Sequence, residues 1–296
     1  MISRKTSDFK LKSFVAALIL TMTSQPLLAQ YFQGPQTMSL AGSGRGAEFG
    51  LETVHLNPAT LVYAPQGDAA LFYNFGKTPE TGHNKETVAI SALENNPDTF
   101  FSGSLNFVKQ SFDFENRAKI TEESWLLYGA KKFLNRWSLG LGFHHMRQND
   151  YKYGIKNYFQ SSVGVHYKFS QYLGVGLSYL NFLNSYDYEP NSIVPELGLG
   201  LTYFYQDMLR VQFDLVQITR GNPSKKLQYA MGIESFLNDY VSLRLGYRIN
   251  NVLDKNTLHA GVGLNGPRLQ IHYSYSQDPK KNKNAMHGVD LRVPFW

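Results

Sequence analysis

Two groups of residues have types that could do chemistry, and their spacing argues against each. His144-His145 is the only adjacent histidine pair. In an extended chain, neighbours point to opposite faces, so the two rings cannot close on one metal ion. Gly42-Ser43-Gly44-Arg45-Gly46 has the glycine density of a phosphate-cradling loop, but it lacks the lysine and the helical pattern that should follow. No Gly-x-Ser-x-Gly or His-Glu-x-x-His run occurs. With no cysteine there is also no thiolate metal site and no disulfide framework. The sequence therefore reads as a non-enzyme without a metal or other cofactor.

A different set of polar residues has a regular placement. Glu196, Arg210, Asp214, Glu234, Arg244, Arg248, Asp290 and Arg292 each stand at the parity opposite the apolar residues of their own segment. A Lys or Arg turned to lipid at mid-bilayer costs roughly 2–4 kcal/mol, so in a membrane barrel all eight must face the lumen. The wetted face of a soluble sheet would give the same parity, and the choice falls to the elements that carry these charges.

Those elements are strands. Trp137, Leu139, Leu141 and Phe143 interleave with Ser138, Gly140, Gly142 and His144, one greasy face against one small or polar face. The same alternation recurs in fourteen segments starting near 67, 85, 100, 120, 136, 156, 172, 193, 208, 227, 240, 258, 268 and 285. Tight links at Leu134-Asn135-Arg136, Ser170-Gln171, Gln206-Asp207, Asn238-Asp239 and Gly266-Pro267 interchange with longer polar stretches near 115–123, 148–156, 184–192, 220–226, 250–257 and 277–284. Short periplasmic turns, longer external loops and an even strand number describe an all-β, antiparallel transmembrane barrel over 67–296 in the outer membrane of a Gram-negative cell, with both termini periplasmic.

Secondary signals agree. The 19 tyrosines and 20 phenylalanines crowd segment ends, as at Tyr167/Phe169/Tyr172 and Tyr203/Tyr205, where interfacial girdles would lie, although β-propensity favours the same residues. The last stretch, Gly288 to Trp296, resembles the terminal strand read by the barrel-assembly machinery, except that the apolar parity ends on Phe295 and leaves Trp296 one residue out of register. Lys280, Lys281 and Lys283 fall in the last long external loop, either against anionic lipopolysaccharide or simply solvated.

At the other end, Arg4, Lys5, Lys10 and Lys12 precede a short apolar stretch, Ser13 to Met22, and Pro26-Leu27-Leu28-Ala29 offers a processing site before Gln30. This reads as an export signal over 1–29, too short to span a bilayer. Its removal takes away a net three positive charges and leaves about +3 of the formal +6, so nucleic acid is not implied. No later run of about eighteen apolar residues exists, which excludes a helical membrane protein.

Residues 30–66 do not alternate. Ser39-Leu40-Ala41-Gly42-Ser43-Gly44-Arg45-Gly46 is followed by Leu56-Asn57-Pro58-Ala59-Thr60-Leu61. A glycine-rich turn, then Asn-Pro-Ala, then the first strand: this resembles the amino-terminal region of the FadL-like outer-membrane transporters of hydrophobic compounds. PorV-like proteins of type IX secretion share that general plan. The resemblance implies fourteen strands around an amino-terminal plug, with Gly42, Gly44, Gly46, Asn57, Pro58 and Ala59 as its motif. The three glycines allow positive-φ turns, and Pro58 biases Asn57 toward extended backbone. Fourteen strands enclose space that needs a filler, and lumenal Gly140, Gly142, Gly174, Gly176, Gly198, Gly200, Gly261 and Gly263 leave room for one. Asp214, Arg244, Arg248 and Arg292 are expected to hold it.

Three functions remain open: passive transport of a small hydrophobic or amphipathic compound, a non-transport scaffold or secretion-system partner, and a small general pore. An apolar path between plug and wall would favour the first, a sealed lumen the second and an open polar channel the third.

Overall fold

The computed structural model describes residues 32–48, 50–96, 98–114, 117–150, 154–183, 194–206, 208–219 and 227–295. The expected leader, Trp296 and the stretches 184–192 and 220–226 lie outside the described residues.

Fourteen strands follow in order: β1 Gly67–Lys77, β2 Asn84–Glu94, β3 Ser102–Phe114, β4 Arg117–Leu134, β5 Trp137–Asp150, β6 Gly154–Lys168, β7 Leu173–Leu180, β8 Glu196–Tyr205, β9 Leu209–Ile218, β10 Leu227–Phe236, β11 Val241–Asn250, β12 Lys255–Asn265, β13 Gln270–Asp278 and β14 Lys281–Phe295. Each pairs antiparallel with its neighbours in sequence, and β1 closes on β14 from Gly67 opposite Phe295 to Gly76 opposite Met286. The result is a closed barrel with no free sheet edge, the only way a sheet can satisfy its backbone in lipid.

Burial is inverted relative to a water-soluble sheet. Leu71, Ile90, Leu105, Leu127, Leu141, Leu199, Leu245 and Leu291 are exposed on the outside, while Asp214, Glu234, Arg244, Asp290 and Arg292 are buried inside. Glu196, Arg210 and Arg248 share that inward parity and are half-buried. An apolar exterior around a charged interior is a membrane-spanning barrel.

The strand ends differ from expectation. Most of the polar residues at 115–123, 148–156, 250–257 and 277–284 are strand and not loop. Pairing continues through Thr121 opposite Asn149 and Glu122 opposite Gln148, and on to Asp150 opposite Gly154, while two residues make the β13–β14 turn. Ladder hydrogen bonds need no apolar side chain, so hairpins extend past the apolar belt; there the outer face carries an exposed Lys109–Glu123 pair at 2.9 Å. Lys281 and Lys283 accordingly lie in β14, and only Lys280 is in a turn.

Within the barrel lie three short turns of helix: α1 Pro35–Ser39, α2 Gly50–Thr53 and a 3-10 helix over Pro58–Tyr63. We call residues 32–66 the inner segment. α1 packs on β11 to β14, α2 on β1 and β2, and the 3-10 helix on β3 to β6. Pro35 opens α1, where a missing N–H costs nothing, and the exposed donors of Gln36 and Thr37 are taken by the Glu52 carboxylate at 3.2 and 2.8 Å. Pro58 opens the 3-10 helix, capped by the Asn57 side chain, which accepts from the Ala59 N–H at 3.1 Å.

Candidate functional site: the seam between inner segment and wall

On one side the inner segment is held by charge. The Arg45 guanidinium donates to Asp214 of β9 at 3.1 Å and to Glu196 of β8 at 3.4 Å. The same Asp214 oxygen accepts the backbone N–H groups of Gly44 and Arg45, each at 3.1 Å. Arg292 of β14 donates to Glu52 at 3.1 Å and to its neighbour Asp290 at 3.3 Å, and Asp290 meets His272 at 2.7 Å. Burial, then the charge of Asp290, raises Glu52 from 4.5 to about 7, against the pull of Arg292 and Thr37.

Of the four charges expected to hold this segment, Asp214 and Arg292 do so. Arg244 turns instead to Glu234 at 2.7 Å, which also binds Arg210 at 2.8 Å. Arg248 meets Gln228 and, at 3.7 Å, Glu80 of the β1–β2 connection. Asn250 reaches the same Glu80 at 3.2 Å, so this connection folds inward over the lumen.

Contact with the rest of the wall is set by glycine. A Cβ on Gly140 would stand 2.2 Å from the Pro58 carbonyl carbon, on Gly164 1.9 Å from Asn57 Oδ1, and on Gly176 1.8 Å from the Arg45 oxygen. Glycines on β8, β10, β11 and β12 meet residues 39–46 in the same way. The lumenal glycines thus admit the inner segment's backbone directly against the sheet. Gly142 and Gly263 are the exceptions among those singled out: the ring of Tyr128 fills the space at the first and the side chains of His272, Ser242 and Arg244 that at the second, not the inner segment.

The motif residues divide by role. Gly42 and Gly44 have φ of 76° and 140°, where a side chain would be strained. Gly46 does not use that freedom; a Cβ there would meet the Gly200 oxygen at 2.8 Å, so space and not backbone conformation selects glycine. Asn57 donates to the Arg45 and Val165 oxygens at 2.8 and 3.1 Å, and the Ala59 oxygen accepts from Ser138 at 2.9 Å. His144 turns inward to Gln160 at 3.0 Å, whereas His145 packs on Phe159 at 4.7 Å between ring centres, on the other face.

The opposite side of the lumen carries an apolar patch, set among inward polar residues such as Asp68, Lys85, Asn106 and Glu122, which alternation alone did not reveal. Phe72, Ala89, Leu93, Val108, Leu126 and Tyr128 of β1 to β4 face inward and pack on Phe32, Leu51, Val54 and Leu61 of the inner segment. Phe32 stands edge-on to Phe72 at 5.1 Å and to His55 at 5.2 Å. His55 meets the Tyr128 hydroxyl at 3.0 Å, and burial lowers its basicity to about 3, so it is a neutral packing group. The signal was in the runs Ala69-Ala70-Leu71-Phe72-Tyr73 and Trp125-Leu126-Leu127-Tyr128, apolar on both parities. Such strands must bury two faces.

The lumen therefore has a charged side along β8 to β14 and an apolar patch on β1 to β4, with the inner segment between. Toward the end where β1 begins and β14 ends, a vestibule of about 860 Å³ opens beneath it, lined by Tyr63, Phe204, Arg210, Phe236, Arg244 and Arg292 among others.

No protein-family model matches the chain, and no curated protein matches it in sequence. In fold it is similar to the CymD monoaromatic hydrocarbon channel, with TM-score 0.69, 11% identity, and coverage of 89% of this chain and 97% of that one. It is similar also to the Pseudomonas putida toluene transporter TodX, with TM-score 0.65, 11% identity and coverage of 90% and 99%. A Pseudomonas aeruginosa FadL homologue gives TM-score 0.63, 11% identity and coverage of 92% and 100%. The chain has the fourteen-strand barrel fold of these outer-membrane channels.

Proposed function

We propose that this protein is a passive outer-membrane transporter of small hydrophobic or amphipathic compounds, oriented with its termini in the periplasm. The observation that carries the reading is the apolar seam between the inner segment and the inward faces of β1 to β4. Apolar surface inside a barrel is not needed to hold a filler, because the charged side already moors this one by Arg45–Asp214 and Arg292–Glu52. A hydrophobic compound entering the seam replaces the contacts of Phe32, Leu51 or Val54 with its own, at about 25 cal/mol per Å² of apolar surface kept from water. A polar solute recovers nothing there and must also desolvate. The seam can yield while the moored side stays, which admits one class of compound without opening an aqueous pore. That the similar structures are described as a monoaromatic hydrocarbon channel and a toluene transporter points to a monoaromatic hydrocarbon as the probe.

The tight glycine contacts favour a second reading, a sealed barrel that serves as a scaffold for a partner. Uptake separates the two. Intact cells expressing the chain should take up labelled toluene faster than cells without it, and glucose no faster; equal toluene uptake would leave the scaffold in front. In planar bilayers, deletion of residues 31–60 should turn a nearly closed protein into one with steady ion current.

A further inference from the structure

We propose that a groove on the outer face of β1 to β4, at the rim where β1 begins and β14 ends, is a binding site for one phospholipid with a primary-amine head group. The inference needs only that the barrel spans a bilayer and is independent of transport.

The groove is a dent in the apolar belt. Ala92 and Gly103 stand where neighbouring outward positions carry Ile90, Leu105 and Leu127. A Cβ built on Gly103 meets nothing within 4 Å, so its floor is open, and the cavity above it measures about 900 Å³. That is the size of a small-molecule site, roughly 300–1,000 Å³.

Its overhang is fastened. Phe100 and Phe101 project from the β2–β3 connection and are strongly exposed. The connection is tied to the end of the inner segment by Asn95, whose backbone N–H donates to Gln66 at 2.7 Å and whose side chain donates to the Ala64 oxygen at 2.7 Å. Asn96 closes the turn by accepting from the N–H groups of Asp98 and Thr99. Two aromatic rings are thus held over a greasy floor, at the depth where aromatic residues anchor barrels.

The charges at its mouth select the head group. Glu94 and Asp98 line the groove, and among the described residues neither carboxylate has an ion-pair partner. Lys131 sits 3.3 Å above the ring of Phe100, which lines the same groove. An ammonium group can donate to both acids while its phosphate meets Lys131. A choline head has no N–H to donate, and a head group without an amine brings only negative charge to two carboxylates. The acyl chain continues the belt into the dent.

The test uses the full chain in nanodiscs of equal phosphatidylethanolamine, phosphatidylcholine and phosphatidylglycerol, released into mild detergent for native mass spectrometry. One phosphatidylethanolamine should stay bound. Gly103→Leu, which fills the floor, should cut retention about tenfold, and the double change Phe100→Ser with Phe101→Ser should do likewise without touching a strand, deciding the matter if the first variant fails to fold. Glu94→Gln with Asp98→Asn should keep a lipid but lose the head-group preference. Equal retention of the three lipids by the natural chain, undiminished retention in the folded floor and overhang variants, or an unchanged preference without the two acids would overturn the assignment.

Discussion

Arg45 and Asp214 meet at 3.1 Å with both side chains buried, and the same carboxylate closes the turn by taking the N–H groups of Gly44 and Arg45. Removing one partner of such a pair strands the other in a dry site, at about 3–5 kcal/mol. Asp214→Ala should therefore release the inner segment while the barrel, held by its own ladder, stays folded. Limited proteolysis should cut within 32–66 in the variant and spare it in the natural chain.

Two glycines should respond in opposite ways. At Gly176 an added methyl collides with the Arg45 backbone, so Gly176→Ala should destabilise by about 1–3 kcal/mol, the usual cost of overpacking. At Gly103 the same methyl meets open space, and Gly103→Ala should be neutral or gain up to about 1 kcal/mol from the lost chain entropy. Urea unfolding of the two variants measures the difference.

Docking of the inner segment should depend on pH through Glu52. Its raised value of about 7, against an ordinary 4.5, means that the docked state holds the proton more tightly than the released one. Docking is then strongest below about 4.5 and weakens as pH rises through about 7. Hydrogen exchange of residues 32–66, corrected for intrinsic rates, should be more protected at pH 5 than at pH 8. Glu52→Gln should flatten that dependence.

Much of this architecture was legible in the sequence because a barrel wall has period two, and eight inward charges had only one affordable side. Strand ends were not, since backbone pairing outlasts the apolar belt, as Thr121 opposite Asn149 shows. Arg45 and Glu52 were missed because their partners lie more than a hundred residues away in β9 and β14, a separation that no local spacing encodes. The apolar seam was readable in principle from Leu71-Phe72 and Leu126-Leu127, but alternation accounts for only one face of a strand.

Orientation is open to direct labelling. A cysteine replacing Lys281, where β14 begins, should react with an impermeant reagent on intact cells. Cysteines at Asn238 and Gly266, in connections at the opposite end, where β1 begins and β14 ends, should react only after the outer membrane is opened. The reverse pattern would invert the barrel.

The central claim is that hydrophobic compounds pass along the seam of β1 to β4, and a photoreactive alkylbenzene mapped by mass spectrometry tests it most directly. Outward residues such as Leu71 and Leu105 will be labelled from the lipid in any case and serve as the internal standard. Adducts on inward Phe72, Val108 and Leu126 and on Phe32 of the inner segment, diminished by excess toluene, are the expected result. Labelling confined to the outward residues, with the inward set clean, would contradict it.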